Sequence, residues 1–242
     1  MEGDVLPMTA THIGTVDAIW RYPVSSVGGQ RVVRAQAGQT GLIGDRSYAI
    51  FDNETLEPAN PAKKEWYGVP RLLARLREDG RLEMSVDNIE WLGYDDPILR
   101  ANLCRLYERQ VCVRPYGASV SGKVLAHRYK LSPIHLLSRQ SLTKLQSLIP
   151  ESLLDERRFR PNIVVDLPAH QVGRPPEYQL IGQDFQLGDL RLRGVKPCGR
   201  CSFTTLNQFG IPEDRSVLRT LISHFDKDFG IYCEVIEDGW IE

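Results

Sequence analysis

The sequence predicts a β-dominated α+β chain, and three observations predict it. Short runs of β-forming residues recur through the first half, separated by glycine turns. Only a few segments carry the 3.6-residue apolar period of a helix. Regular strand–helix alternation of the doubly wound kind is missing. The chain has 242 residues, enough for one large domain or two small ones.

The elements follow in order. Thr15 to Trp20, Arg31 to Ala37 and Arg46 to Phe51 read as strands, punctuated by Gly28-Gly29, Gly38, Gly41 and Gly44. Strands so short and so spaced suggest a barrel or a tightly curved sheet. Asp52 to Pro70 is irregular, with Pro58, Pro61 and Pro70, and is too long for a plain turn. Leu72 to Arg77 and Arg81 to Val86 form a hairpin about Asp79-Gly80. Pro97 to Arg109 has helical spacing, and Val111 to Pro115 returns to strand. Ser138 to Leu148 is the clearest helix, with Ser138 as N-cap and Leu142, Leu145 and Leu148 on one face. Ile163 to Val165 is a buried strand, and Phe185 to Val195 holds two strand runs about Gly188-Asp189. A helix from Ser216 to Phe225, capped by Asp214 or Ser216, precedes a closing strand from Ile231 to Ile236.

Composition narrows function. Thirty Lys and Arg face 31 Asp and Glu, a net charge of -1, so a broad nucleic-acid surface is not expected. A hydrophobic share of 42% is too high for a disordered chain. No run approaches the ~20 apolar residues of a membrane span, and Met1 to Ala10 lacks a secretion signal. A cytoplasmic location is expected. There are five cysteines, an odd number in a long chain, which argues against a disulfide framework.

Two of the five cysteines stand three apart, in Pro197-Cys198-Gly199-Arg200-Cys201. A structural zinc site would need a second pair, and a thioredoxin-like dithiol would need a helix after the motif. Ser202 to Leu206 reads as strand. Two buried thiols are the plain alternative. The flanking Lys196 and Arg200 favour thiolate, the form that binds soft metals or attacks electrophiles. Three further clusters could meet an anion. Arg157-Arg158-Phe159-Arg160-Pro161-Asn162 sets three guanidiniums beside a buried strand, although a solvated edge is the plainer reading of three arginines alone. Gly44-Asp45-Arg46 follows a glycine-rich loop. Tyr22 to Gly29 offers hydroxyls and glycines but no nucleotide P-loop. His135, in an apolar run, reads first as a hydrogen-bonded core residue.

Five motifs occur together: Tyr22-Pro-Val-Ser-Ser26, Gly41-Leu-Ile-Gly-Asp-Arg46, His135-Leu-Leu, Phe159-Arg-Pro-Asn-Ile-Val-Val165 and Lys196-Pro-Cys-Gly-Arg-Cys-Ser-Phe-Thr-Thr205. In this order they resemble the MOSC-domain family, named for the C-terminal domain of molybdenum cofactor sulfurase. The likeness runs from about Ile13 to Val235. It implies a MOSC β-barrel at 96–242, preceded by a smaller barrel-like domain at 10–95. It implies the molybdenum cofactor, a molybdopterin, with Cys201 as metal ligand. Ser25, Ser26, Arg46, Ser132, His135, Arg160, Asn162 and Arg200 match positions around the pterin and its phosphate. Ser25 stands where the family has lysine. The reaction implied is two-electron reduction of N-hydroxylated small molecules, with electrons from a separate electron-transfer protein, since no Fe–S cysteine spacing occurs. The other reading is sulfur transfer, with Cys201 carrying a persulfide supplied by a cysteine desulfurase that uses pyridoxal phosphate. A carrier without turnover is a third. Neither nucleic acid nor membrane is expected as partner. The segment Asp52 to Pro70 is expected to overhang the site.

Overall fold

A computed structural model describes residues 14–127, 134–168 and 174–242. The first part holds β1 (Thr15–Arg21), β2 (Gln30–Val32), β3 (Ala35–Gly38), β4 (Gly41–Leu42), β5 (Tyr48–Asp52), β6 (Leu73–Leu76), β7 (Leu82–Ser85) and β8 (Leu92–Gly93). Helix α1 (Pro97–Tyr107) leads to β9 (Val111–Pro115), β10 (Ser119–Val120) and β11 (Lys123–Val124). Then come β12 (Ile134–Ser138), α2 (Arg139–Leu148), β13 (Ile163–Asp166), β14 (Asp184–Leu187), β15 (Leu190–Gly199), α3 (Arg215–His224), β16 (Asp228–Glu237) and β17 (Gly239–Ile241).

The main sheet has seven strands in the order β14-β15-β16-β12-β13-β1-β2. Only β12 and β13 run parallel, and α2 makes the connection between them. Both strands are buried on both faces, which is why their sequences are continuously apolar rather than alternating. Leu136, Ile163 and Val165 point into one core with Ile19, Leu192 and Ile231. Leu137 and Val164 point the other way, under Leu142 and Leu145 of α2 and Val217 and Leu221 of α3. A further core collects Val24, Val27, Ile50, Trp66, Leu72 and Met84 with Leu99 and Leu103 of α1 and Val111 of β9.

The β-dominated α+β class holds, but the expected barrels do not. Among the described residues every sheet is open, and the outermost strands β14 and β2 of the largest do not pair. The chain leaves β2 at the exposed Val33, and β3 pairs instead with β17. The run Arg31 to Ala37 is therefore two strands, not one. The strand expected at Arg46 starts at Tyr48, because Arg46 itself has a left-handed backbone (φ 49°). Ser202 to Leu206 is not a strand. It is a 3-10 turn, Ser202–Thr205, because its hydroxyls fold back onto the backbone: Thr204 Oγ1 donates to Cys201 O (3.0 Å) and Thr205 Oγ1 to Ser202 O (2.8 Å). The helix caps are Asp96, Ser138 and Asp214.

Glu177 is fully buried beside the first turn of α2. Its Oε2 accepts from Ser138 Oγ (2.5 Å) and Ser141 Oγ (2.8 Å). Burial raises this carboxyl despite those bonds, which pull it down. With the folded value above the unfolded one, Glu177 contributes stability below the ordinary carboxylate range of about 4.3. That contribution is lost as pH rises through the folded value. Glu177→Gln is therefore expected to gain on the wild type in urea unfolding as pH rises from acid toward neutral. A difference that is constant with pH would contradict this.

Candidate functional site

A cavity of about 580 Å³ opens where the main sheet meets the Val24–Ile50 core. Ser25, Ser26, Arg46, Tyr116 and His127 line one side; His135, Arg160, Asn162, Lys196, Cys198, Arg200, Cys201 and Tyr232 line the other. Pro58 to Ala62 complete the wall, so the irregular segment does overhang the site. The hydrogen bond from Ala59 N to Ile50 O (2.8 Å) holds it there. Every predicted site residue among the described ones lies on this lining. Ser132 lies outside the described residues.

Asn162 ties the walls together. It is completely buried. Its Oδ1 accepts from His135 N (3.1 Å) and Arg46 Nη1 (3.3 Å), and its Nδ2 donates to Trp20 O (3.4 Å). One amide thus joins β12, β1 and the loop before β5.

The arginines are held by oxygens around them. Arg46 donates to Asp45, to Asn162 and, through Nη2, to Arg160 O (3.1 Å). Burial opposes its charge, but Asp45 more than restores it and raises its pKa. Arg160 donates to Val27 O and Val24 O, and its guanidinium lies 4.2 Å from the Tyr22 ring centre. Burial lowers the Arg160 pKa, and neighbouring Arg46 pushes the same way. Arg200 donates to Phe159 O (2.7 Å) and Cys198 Sγ (2.8 Å), and its buried Nε has no acceptor among the described residues. Ser26, Arg46 and Arg160 all take left-handed backbones (φ 66°, 49° and 52°). Such strain in non-glycine residues persists only where the surroundings over-determine it, and it gathers at functional sites.

The arginine cluster divides. Arg158 is fully buried and donates to Leu153 O, Thr204 O and Pro212 O, so it holds the fold. Arg157 pairs with Asp155 (2.6 Å). Of the three, only Arg160 reaches the cavity. His135 is the core residue its sequence context suggests, and it also lines the cavity. Its Nε2 lies 3.1 Å from Phe229 O and its Nδ1 3.4 Å from Arg160 O. Gly230 (φ 78°) makes room for it, since a Cβ there would come within 2.5 Å of Nε2. Ser25 Oγ accepts from Tyr116 OH (3.1 Å).

The two motif cysteines differ. Cys198 is buried and Cys201 is exposed, and all five cysteines are free thiols. Tyr232, Tyr116 and His127 were not legible as site residues. Tyr232 reaches the cavity through its register opposite His135 and Lys196, which sequence does not carry. Among the described residues the lining holds four cationic side chains, Arg46, Arg160, Lys196 and Arg200, and no carboxylate. Such a surface suits a polyanionic ligand, and an exposed thiol on it suits a soft metal. No cluster of three or more His, Cys, Asp or Glu that could hold a metal ion alone occurs among the described residues.

A family model for the MOSC domain matches residues 125–242. The chain is 26% identical to mitochondrial amidoxime-reducing component 1 of Mus musculus, over 88% of this chain and 72% of that protein. It is 25% identical to mitochondrial amidoxime reducing component 2 of Rattus norvegicus, with the same shares covered. Component 1 of Homo sapiens is also 25% identical, over 88% and 72%.

The buried Asn162 amide should be costly to remove. Asn162→Ala strands a backbone N–H and part of a guanidinium, each worth about 1–3 kcal/mol when left unmet. Equilibrium urea unfolding should show a loss of about 2–4 kcal/mol. A loss under about 1 kcal/mol would contradict the role given to this side chain.

Proposed function

The chain carries a MOSC domain over residues 125–242, and from that premise we propose that it binds the molybdenum cofactor and reduces N-hydroxylated small molecules. One observation carries this reading. Cys201 presents an exposed thiol on a cavity with four cations and no carboxylate among its described lining residues. The residues fit the group: the cations match a phosphorylated, dithiolene-bearing pterin, and the thiol matches a soft metal. The buried Nε of Arg200, without an acceptor among the described residues, is a donor still to be used.

Arg46, Arg160, Lys196 and Arg200 would hold the anionic parts, and Ser25 and Ser26 would donate hydroxyl hydrogen bonds. Ser25 brings no charge where the family has lysine, but Lys196 lines the same cavity and supplies an ammonium. Cys201 would ligate the metal. When bound, the cofactor supplies a centre that exchanges two electrons. The reaction would consume two electrons and two protons, cleave the N–O bond and release water. The overhanging Pro58 to Ala62 segment narrows the mouth and limits water entry. Electrons would come from a separate protein. No helix among the described residues is long and apolar enough to cross a membrane. The division into units at 10–95 and 96–242 is proposed with this reading; α1 and β9 follow that boundary in sequence yet pack in the core with Val24 and Ile50.

The test is metal and pterin content per chain after expression in cells that make the cofactor. Wild type should hold close to one of each per chain. Cys201→Ala should lose the metal while keeping its circular dichroism spectrum. Equal metal in both proteins would overturn the assignment of Cys201. Metal-free wild type that accepts labelled persulfide sulfur at Cys201 would replace the reductase with a sulfur carrier.

A further inference from the structure

Cys198 has no part in the scheme above, yet it is a buried thiol with an arginine aimed at its sulfur. Its side chain is buried, at 1% exposure. Arg200 Nη1 donates to its Sγ at 2.8 Å. His135 of β12 and Tyr232 of β16 also lie close enough to act on it, and both line the same cavity. These groups come from the two adjacent strands β16 and β12 and from the loop after β15, the strand that carries Cys198, so sheet register fixes their convergence. The His135 ring is itself held from both sides, with Nδ1 3.4 Å from Arg160 O and Nε2 3.1 Å from Phe229 O. The other titratable groups nearby are Tyr178, from the 3-10 helix Pro176–Leu180, and Lys196 and Asp228 on the strands.

Cys233 provides the control within the same sheet. It is as buried as Cys198, and burial alone pushes its thiol up. For Cys198 burial pushes the same way, but His135 and Arg200 with the Tyr232 hydrogen bond overcome it and bring the thiol down to about 6. Equal burial with opposite outcomes means that the donors decide the charge.

We propose that Cys198 is an anionic positioning residue, a buried thiolate that serves as counter-ion to Arg200 and so fixes its guanidinium on the cavity wall. The Cys-x-x-Cys motif thereby divides its labour. Cys201 faces the cavity as an exposed thiol, and Cys198 orients the cation beside it. Arg200 is clamped at Cys198 Sγ and Phe159 O, which leaves its Nε as the donor without an acceptor among the described residues. The inference does not depend on a bound cofactor, because every partner of Cys198 belongs to this chain. The sign of its effect follows from linkage. A thiol lowered on folding contributes stability above its unfolded value of about 8.5, and that contribution is lost as pH falls through the folded value.

The test is a pH titration of thiolate ultraviolet absorbance on the cofactor-free Cys201→Ser chain. One thiolate should appear with a midpoint near pH 6, ahead of the remaining cysteines. Cys198→Ser should abolish that step. Arg200→Gln should move it upward by about 1–3 pH units, the effect of losing an adjacent opposite charge. A merely structural thiol would show neither the early step nor its dependence on Arg200. Absence of any thiolate below about pH 8 would overturn the proposal, as would an early step that survives Cys198→Ser or ignores Arg200→Gln. If Cys198→Ser does not fold, the titrations of the Cys201→Ser chain with and without Arg200→Gln decide alone.

Discussion

Three guanidiniums share one cavity, and the carboxylate that answers them is Asp45, paired with Arg46. Desolvated charges are expensive unless hydrogen bonds replace water. Here the replacement is mostly main chain: Val24 O and Val27 O for Arg160, Arg160 O for Arg46, Phe159 O for Arg200. Carbonyls can be aimed inward only if the backbone turns sharply, and Ser26, Arg46 and Arg160 turn through left-handed conformations beside them. Asn162 then locks the two walls to each other. The site is therefore complete only where the two cores meet, since neither core alone supplies all the acceptors.

Much of this was legible where local chemistry decides. The run Ile163-Val164-Val165 announced a doubly buried strand, and Ser138 announced a helix start, because apolar continuity and capping are written in neighbouring residues. The motif residues Arg46, Arg160, Asn162, Arg200 and Cys201 all came to one cavity. Other features depend on partners distant in sequence. Strand β17 exists because β3 lies open to it, and three residues ending Gly-Trp-Ile carry no signal of their own. The left-handed residues are serine and arginine, not glycine, so composition hid the turns. Arg158 and Arg160 look alike in the chain, yet one is spent on three structural carbonyls and the other lines the cavity. The strand expected after Cys201 failed because threonine can satisfy its hydroxyl on its own backbone, a choice that β propensity ignores.

The net charge of -1 conceals a strong separation. Acid and base balance across the surface through pairs such as Arg191 with Glu237 and Arg215 with Glu213. Exposed pairs of this kind contribute little to stability. The cavity cations are different: among the described residues they are held in place without compensating carboxylates on the lining, which leaves a near-neutral chain with a cationic cavity. The cysteines follow the same logic. Cys233 and Cys198 are equally buried and differ in the groups that face them, whereas Cys201 is exposed.

The most direct test of the anion site needs no cofactor. Thermal unfolding of the cofactor-free chain should be followed against inorganic pyrophosphate at constant ionic strength set with sodium chloride. A ligand that binds only the folded state stabilises by RT ln(1 + [L]/Kd), so Tm should rise with pyrophosphate in a saturable binding curve and rise less in Lys196→Met. A Tm that follows ionic strength alone, identical in pyrophosphate and chloride, would contradict an anion site in this cavity.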